Sequence, residues 1–285
     1  MSELTLRPTA PRRPSRSLTP ALVHLVLLAG CVVVVAPFLW MVTTALKPPR
    51  LVHLAPYLVP VRFEWGNFAT AWRADDFARF YLNSAVMAVG ITAGQLLLSS
   101  LAGYAFARLR FPGRDLLFWV VLATMMVPVY VTLIPSYLIV RDLGWLDSYP
   151  ALIVPRLVSA FGIFLMRQHY LAIPRDLEES ALLDGASRLR IWRDVFVPLS
   201  GPAFATLGIF AFLFAWNDFL WPLLITTSPE MRTVQLGLAM FTGRYGTEWT
   251  LLMAGAVTAT IPALLVFVAG QRWFVRGVAA TGVKG

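Results

Sequence analysis

The sequence predicts an all-α integral membrane protein with six transmembrane helices, and three observations support this fold class. Of the 285 residues, 58% are apolar and only 14% are charged, whereas soluble proteins average about 45–50% and about 25%. A core of this size cannot bury so much apolar material, so lipid must solvate part of it. In addition, six segments are long and apolar enough to cross a bilayer, and basic residues are distributed unequally among the connecting segments.

The same composition excludes several classes of protein. Disordered chains, fibrous repeats and secreted disulfide scaffolds do not combine these features. A single cysteine, Cys31, permits no intramolecular disulfide. The net charge of +9 is typical of basic flanks on the cytoplasmic side of a membrane protein, and we expect no nucleic-acid partner.

Each membrane-spanning helix needs about 20 mostly apolar residues. The chain has six such segments, at residues 21–46, 82–107, 116–140, 149–166, 197–226 and 249–274. The fourth contains Pro155, and the fifth contains Pro202 and Pro222. A membrane helix tolerates proline where neighbouring helices satisfy the freed carbonyls.

The basic residues predict the orientation of these spans. If both termini are cytoplasmic, 15 of the 24 basic residues flank the spans on the inner side, 8 lie on the outer side, and Arg156 lies within a span. The outer loop at residues 47–80 is the one exception, because it carries five of those eight. We therefore expect a multi-pass protein of the cell membrane with cytoplasmic tails at residues 1–20 and 276–285 around a six-span transmembrane domain at residues 21–275.

Groups that an enzyme would require are missing from the sequence. A phosphate-binding P-loop ends in Gly-Lys, but the only lysines, Lys47 and Lys284, follow Leu46 and Val283. No HExxH, GxSxG or CxxC motif occurs, and the three histidines are too scattered to indicate a metal site. We therefore expect no catalytic residue and no metal, which leaves a passive path, a scaffold or a transporter driven by other subunits.

The cytoplasmic loop at residues 173–198 is longer than neighbouring helices need, and its residues predict two short helices. Pro174 suits a first helical turn, and Gly185 suits the left-handed position that ends a helix. Ser187 can cap a second helix that leads to Pro198 and the fifth span. Acidic side chains are favourable at the start of a helix, and the first helix begins with three of them: Asp176, Glu178 and Glu179. The loop also presents an apolar surface, formed by Leu177, Ala181, Leu182, Leu183, Ile191 and Trp192.

By physical chemistry alone, this apolar surface could equally pack under the helix bundle. The residue pattern, however, resembles the EAA signature of binding-protein-dependent ABC importer permeases, whose consensus is Glu-Ala-Ala, three residues, Gly, nine residues and Ile-x-Leu-Pro. The matching positions are Glu179-Ser180-Ala181, Gly185 and residues 195–198, with Ser180 in place of the first Ala and Val197 in place of Leu. Both replacements keep the size or the apolar character of the consensus residue.

The resemblance extends along most of the chain. Residues 82–84, 161–168, 216–218, 221–224 and 271–277 look like the carbohydrate-uptake branch of these importers, and the chain looks like the six-span partner of the maltose-type permease pair. The resemblance implies the type I ABC importer fold, a second permease subunit, two ATP-binding subunits and an extracytoplasmic solute-binding protein. ATP and magnesium would then be bound by the partner subunits, and this chain would need no cofactor.

The resemblance also implies that the EAA helix docks into a cleft of the ATPase and transmits its closure to the spans. The residues expected to act in this coupling are Glu179, Ser180, Ala181, Asp184, Gly185 and Pro198. Small side chains at 180 and 181 permit close approach, while Glu179 and Asp184 offer charge-assisted contacts. Residues 279–285 either reach the ATPase interface, as in better-known relatives, or are disordered.

Two charges inside the predicted spans are candidates for a solute path, because a charge within the bilayer is costly. Arg156 and Asp218 lie at matched depths of about 10–12 Å from the outer ends of the fourth and fifth spans. Nearby polar and aromatic residues could line a sugar path at the same level: Trp216, Asn217 and Trp221. The alternative is a structural ion pair with tryptophans of the interfacial belt.

The second span contains the polar residues Asn83 and Gln95 and the small-residue pattern that begins with Gly90 and Gly94. We expect the polar pair to form interhelical hydrogen bonds and the small residues to permit close packing. The sequence leaves open whether the packed helix belongs to this chain or to the second permease.

Two alternative functions remain open, and a third is disfavoured. An importer of glycerol-3-phosphate or a related phosphodiester, from the same branch, would suit the basic Arg156. A self-sufficient secondary transporter would need inverted repeats and a coupling-ion site, and the sequence shows no internal similarity. A membrane enzyme lacks catalytic groups.

Overall fold

The computed structural model describes residues 19–52, 60–243 and 246–282, and most of these residues are helical. Three helices are each long and apolar enough to cross a membrane, namely α1 (Thr19–Ala45), α3 (Phe77–Arg108) and α14 (Trp249–Gly282). Within the described residues, three bent helix pairs raise the number of candidate spans to as many as six if each pair forms one span, which agrees with the predicted number. The predicted tails lie mostly outside the described residues, except that α14 continues through residues 276–282.

The predicted third span is not one continuous helix. Helix α4 (Arg114–Thr124) and helix α5 (Val129–Asp142) meet at an angle of 99°. Pro128 immediately precedes α5, and a proline lacks the backbone N–H of a helix interior and restricts the residue before it to extended conformations. The break therefore follows from Pro128, a signal that the sequence-based prediction missed.

The fourth and fifth spans also differ from their predicted bounds. In the fourth, α6 (Tyr149–Ile153) and a 3₁₀ turn (Val154–Arg156) lead to α7 (Ala160–Ala172) with a bend of 46°. The fifth contains only α11 (Gly201–Trp216), and the chain then turns before the short helix α12 (Leu220–Ile225). The prediction of one span over residues 197–226 was therefore too long at both ends.

The remaining elements connect these spans. On the predicted cytoplasmic side they are α8 (Asp176–Leu183), α9 (Arg188–Ile191), a π-helical turn (Trp192–Phe196) and α10 (Val197–Leu199). On the opposite side they are 3₁₀ turns at Pro49–Leu51 and Pro229–Met231, helices α2 (Gly66–Arg73) and α13 (Val234–Ala239), and the antiparallel pair of β1 (Thr242–Gly243) and β2 (Gly246–Thr247).

Helix α3 lies at the centre of the fold, where it packs against α6, α7 and α11. Its small residues face the fourth span of the same chain, which resolves the question left open by the sequence. A Cβ added at Gly94 would lie 2.2 Å from Leu157 Cδ2, and one added at Gly103 would lie 2.7 Å from Met166 Cβ and 2.9 Å from the backbone nitrogen of Arg167. The glycines therefore allow the two helix backbones to approach closely.

We expect Gly103→Val to destabilise the folded protein by about 1–3 kcal/mol, because the obstructing atoms belong to the backbone and Cβ of α7 and cannot rotate away. The measurement is the thermal unfolding midpoint of the detergent-solubilised protein. Gly208→Ala is the matched control, since a Cβ there would meet its nearest atom at an ordinary 3.7 Å. Equal midpoints for both variants would contradict the proposed packing constraint.

Asn83 and Gln95 of α3 form hydrogen bonds with other segments of the chain, mainly with backbone carbonyl groups. The amide of Asn83 donates to the carbonyls of Glu230 and Arg232, each at 2.8 Å, and its oxygen accepts from the Tyr149 hydroxyl at 2.7 Å. The Gln95 amide donates to the carbonyl of Arg156 at 2.8 Å. These bonds hold α3 against an outer loop and against the bend of the fourth span.

Candidate functional sites

Helix α8 begins and ends as its residues predict. Three acidic side chains lie in its first turn, Asp176, Glu178 and Glu179, although the helix starts two residues after Pro174. At its end Gly185 has φ = +76°, the left-handed conformation that a side chain disfavours. Its N–H donates to the carbonyl of Leu182, and the N–H of Ala186 donates to the carbonyl of Ala181, both at 3.0 Å. This pair of bonds is a Schellman motif, which satisfies carbonyls at the helix end.

The second half of the loop at residues 173–198 leads into the fifth span. The Ser187 side chain accepts a hydrogen bond from the N–H of Arg190 and so caps α9, as predicted. A π-helical turn then precedes Pro198. Proline would clash with the carbonyl four residues earlier in a regular α-helix, and the wider π turn gives that ring more room.

The apolar surface predicted for this loop is divided between two faces. Leu177, Leu182 and Leu183 are exposed, and Leu183 retains 90% of its accessible surface. Ile191, in contrast, is buried in a cluster with Tyr104, Met166, Tyr170 and Phe196, and both Ala181 and Trp192 pack against this cluster. Of the two arrangements that the sequence left open for this surface, packing under the bundle therefore applies to Ile191, because α9 turns that residue towards the ends of α3 and α7.

The face of α8 that points away from the bundle combines apolar and polar groups. Glu179, Ser180 and Asp184 are exposed beside the three leucines. Further along the loop, hydrogen bonds from the Arg193 guanidinium hold the pKa of the Asp194 carboxyl below its usual range. A small, charged and partly apolar surface of this kind suits a protein partner.

Glu178 is a site residue that the sequence reasoning did not select. Its side chain is only 10% exposed, and its two oxygens lie 2.6 Å from Arg188 Nη1 and 3.7 Å from Arg108 Nη1. Arg108 is the last residue of α3 and is 4% exposed. Glu178 and Ala181 are three residues apart, a spacing that places both on the inward face of α8. This spacing was the signal in the sequence from which burial of Glu178 could have been predicted.

Arg156 and Asp218 form an ion pair, which is consistent with the similar depths that the sequence predicted for them. Arg156 Nη2 lies 3.5 Å from Asp218 Oδ2, and the two side chains are 18% and 11% exposed. The 3₁₀ turn of the fourth span positions the arginine, and the break after α11 positions the carboxylate. Asp218 Oδ1 also accepts a hydrogen bond from the N–H of Trp221 at 3.2 Å.

A cavity of about 610 Å³ lies beside this ion pair, between α3, the bend of the fourth span and α11. This volume is within the about 300–1,000 Å³ typical of ligand sites. Its polar lining consists of Gln95, Arg156 and Ser159, and the remaining lining is aliphatic or aromatic, as at Phe161, Phe210 and Phe214. Arg156 also lines a smaller cavity of about 80 Å³ on its other side, towards α5.

The tryptophans predicted near the path lie within the core. The indole of Trp216 donates to the carbonyl of Ala259 at 2.9 Å, and that of Trp221 donates to the carbonyl of Ala151 at 3.0 Å. Both side chains are almost fully buried. Asn217 is exposed, and its amide donates to the carbonyl of Leu213 in its own helix at 2.8 Å. The structure therefore brings Arg156, Asp218 and Trp221 together, and it directs Trp216 and Asn217 elsewhere.

Comparison with known proteins identifies the family. Residues 95–280 match the family model described as "Binding-protein-dependent transport system inner membrane component". The chain is 35% identical over 264 residues to the sn-glycerol-3-phosphate transport system permease protein UgpE of Yersinia pestis, with 90% of this chain and 94% of the relative covered. The corresponding proteins of Pectobacterium atrosepticum and Brucella abortus are 36% and 35% identical, with 90% of this chain and 94% and 95% of those proteins covered.

A solved structure shares the fold. A chain of a bacterial ABC transporter involved in the import of the acidic polysaccharide alginate superposes with a TM-score of 0.82 at 23% identity. The match covers 93% of this chain and all of that chain. At this level of identity, the likeness supports the type I permease fold and carries no information about the solute.

Proposed function

Because this chain belongs to the family of binding-protein-dependent transport system inner membrane components, we propose that it forms the translocation path of an ATP-driven importer together with a second permease subunit. Two ATP-binding subunits would supply the free energy, and an extracytoplasmic binding protein would deliver the solute. The observation that carries this proposal is the helical loop of α8–α10, which exposes a compact apolar and acidic face beside the membrane-spanning helices.

The exposed face of α8 is the proposed contact with the ATPase. Glu179 and Asp184 would make charge-assisted contacts there, and the small side chain of Ser180 would allow close approach. Ala181, which packs against the buried cluster around Ile191, would instead allow α8 to lie close to the bundle. Gly185 shapes the end of the helix, and Pro198 joins the loop to the fifth span. A helix held in this way passes the movement of a docked domain to the spans as a rigid body.

This role requires the loop and both termini to be cytoplasmic, as the distribution of basic residues favours. We expect a cysteine at position 183 to react with a membrane-impermeant maleimide only in inside-out vesicles, because Leu183 is 90% exposed. The measurement uses a Cys31→Ser background, which leaves the introduced thiol as the only one in the chain. Labelling in right-side-out vesicles would contradict the assigned orientation.

The proposed solute is a carbohydrate, either a sugar or an oligosaccharide. The cavity beside Arg156 offers amide, hydroxyl and guanidinium groups next to aromatic rings, the combination that hydroxyl-rich solutes bind. Asp218 compensates the charge of Arg156, and a site of zero net charge suits an uncharged solute. The alternative solute is glycerol-3-phosphate, which the names of the relatives support.

The experiment that tests the importer function is purification of the tagged chain from native membranes. We expect an ATPase subunit and a second permease to purify with it, and uptake in liposomes to require ATP and a binding protein. If the chain alone accumulated solute against a gradient, it would instead be a secondary transporter. Uptake of radiolabelled sugars compared with radiolabelled glycerol-3-phosphate by the complete complex would then distinguish the two solutes.

A further inference from the structure

A buried cluster of charges joins helix α8 to the cytoplasmic end of α3. Glu178 reaches Arg188 with one carboxylate oxygen, at 2.6 Å, and Arg108 with the other, at 3.7 Å. Glu178 and Arg108 are 10% and 4% exposed, so water screens their interaction little. Arg188 is about half exposed, and the pair of Glu178 and Arg108 is therefore the buried part of the cluster.

Arg108 is held in place by more than this carboxylate. Its guanidinium donates to the carbonyls of Tyr170, at 2.5 Å, and of Ile173, at the end of α7. It also lies 5.0 Å from the ring centre of Phe196 in the π-helical turn. The guanidinium of this α3 residue therefore contacts the end of α7, helix α8 and the turn that leads to the fifth span.

The position of Arg108 determines what this cluster can transmit. Apolar contacts between helices are non-directional and permit sliding, whereas two opposite charges that are shielded from water resist being moved apart. Glu178 lies in the first turn of α8, and Arg108 is the last residue of a helix of 32 residues that passes through the centre of the bundle. A displacement of α8 would therefore act directly on the end of α3.

We propose that Glu178 is a positioning residue that transmits the movement of α8 to α3 through Arg108. The inference rests on the proposed docking of α8 on an ATPase and adds the route by which the bundle receives the movement. Glu178 itself faces inward and makes no contact with the ATPase. Arg188 secures the loop on its exposed side and is not needed for the transfer to α3.

The test compares Glu178→Gln with Arg188→Gln in the complete complex of both permeases, the ATPase and the binding protein. Each variant removes one charge from the same cluster, but only Glu178→Gln breaks the ionic contact with α3. We expect the number of solute molecules transported per ATP hydrolysed to fall about tenfold in Glu178→Gln and to stay within about twofold in Arg188→Gln, since coupling between sites is typically worth about 5–150-fold. Complex assembly should stay normal in both.

Three outcomes are informative. An equal fall in both variants, or a loss of assembled complex with an unchanged ratio of transport to hydrolysis, would overturn the inference and assign a purely structural role to the cluster. If Glu178→Gln failed to assemble, Glu178→Asp would replace it, because it keeps the charge but shortens the reach to Arg108, and the same fall in the ratio is expected. Failure of the wild-type chain to purify with an ATPase would instead contradict the proposed function.

Discussion

Gly185→Val is expected to remove most ATP-coupled uptake while the chain still inserts into the membrane. Gly185 has φ = +76°, and a β-branched residue in the left-handed region costs about 1–2 kcal/mol or more. No atom lies within 4 Å of an added Cβ, so the penalty acts on the backbone turn and not on packing. The Schellman bonds at the end of α8 would be lost, and the helix would no longer present one fixed surface.

The measurement is solute uptake and ATP hydrolysis by reconstituted complexes that contain Gly185→Val. A penalty of about 2 kcal/mol on the docked geometry corresponds to a loss of about 30-fold in coupled uptake. Gly185→Asn is the matched control, because asparagine tolerates the left-handed conformation better than other residues, and it should keep most of the activity. Normal uptake by Gly185→Val would count against the assignment of α8 as the coupling helix.

Arg156→Met is expected to have the second large effect. The substitution keeps an unbranched, flexible side chain but leaves the Asp218 carboxylate, 11% exposed, without its cation. Removal of one partner from a buried ion pair typically costs about 3–5 kcal/mol. The thermal midpoint of the purified protein and the amount inserted into membranes should both fall.

A second substitution separates the structural role of this pair from the proposed role in solute passage. Arg156→Met combined with Asp218→Asn removes both charges, and the asparagine oxygen can still accept the hydrogen bond from the N–H of Trp221. We expect the double variant to regain stability, because removal of both members of an ion pair is often nearly neutral. If Arg156 binds the solute, uptake should stay low at restored protein levels. Recovery of uptake would show that the pair only holds the helices together.

The membrane fold could be inferred because transfer into lipid depends on composition over about 20 residues, which is a local property of the chain. The bounds of α1 and the start of α14 agree with the prediction within two residues. The end of α8 was predictable for a similar reason, since Gly185 and Ser187 act through backbone groups a few residues away. The breaks after Thr124 and Trp216 were missed because the spans were predicted from the average hydropathy of long segments. A single proline or a short polar turn changes such an average little.

Other features depend on residues that are far apart in the chain. The partner of Gly103 lies 63 positions away at Met166, and Arg108 and Glu178 meet across 70 positions. Composition and spacing therefore specified an apolar six-span chain with a structured loop, because those properties arise between near neighbours. Only the packing of the helices decided three further features: the burial of Glu178, the inward orientation of Ile191 and the contact between Arg156 and Asp218. The environment of a charged or apolar side chain is not defined until its distant neighbours are in place.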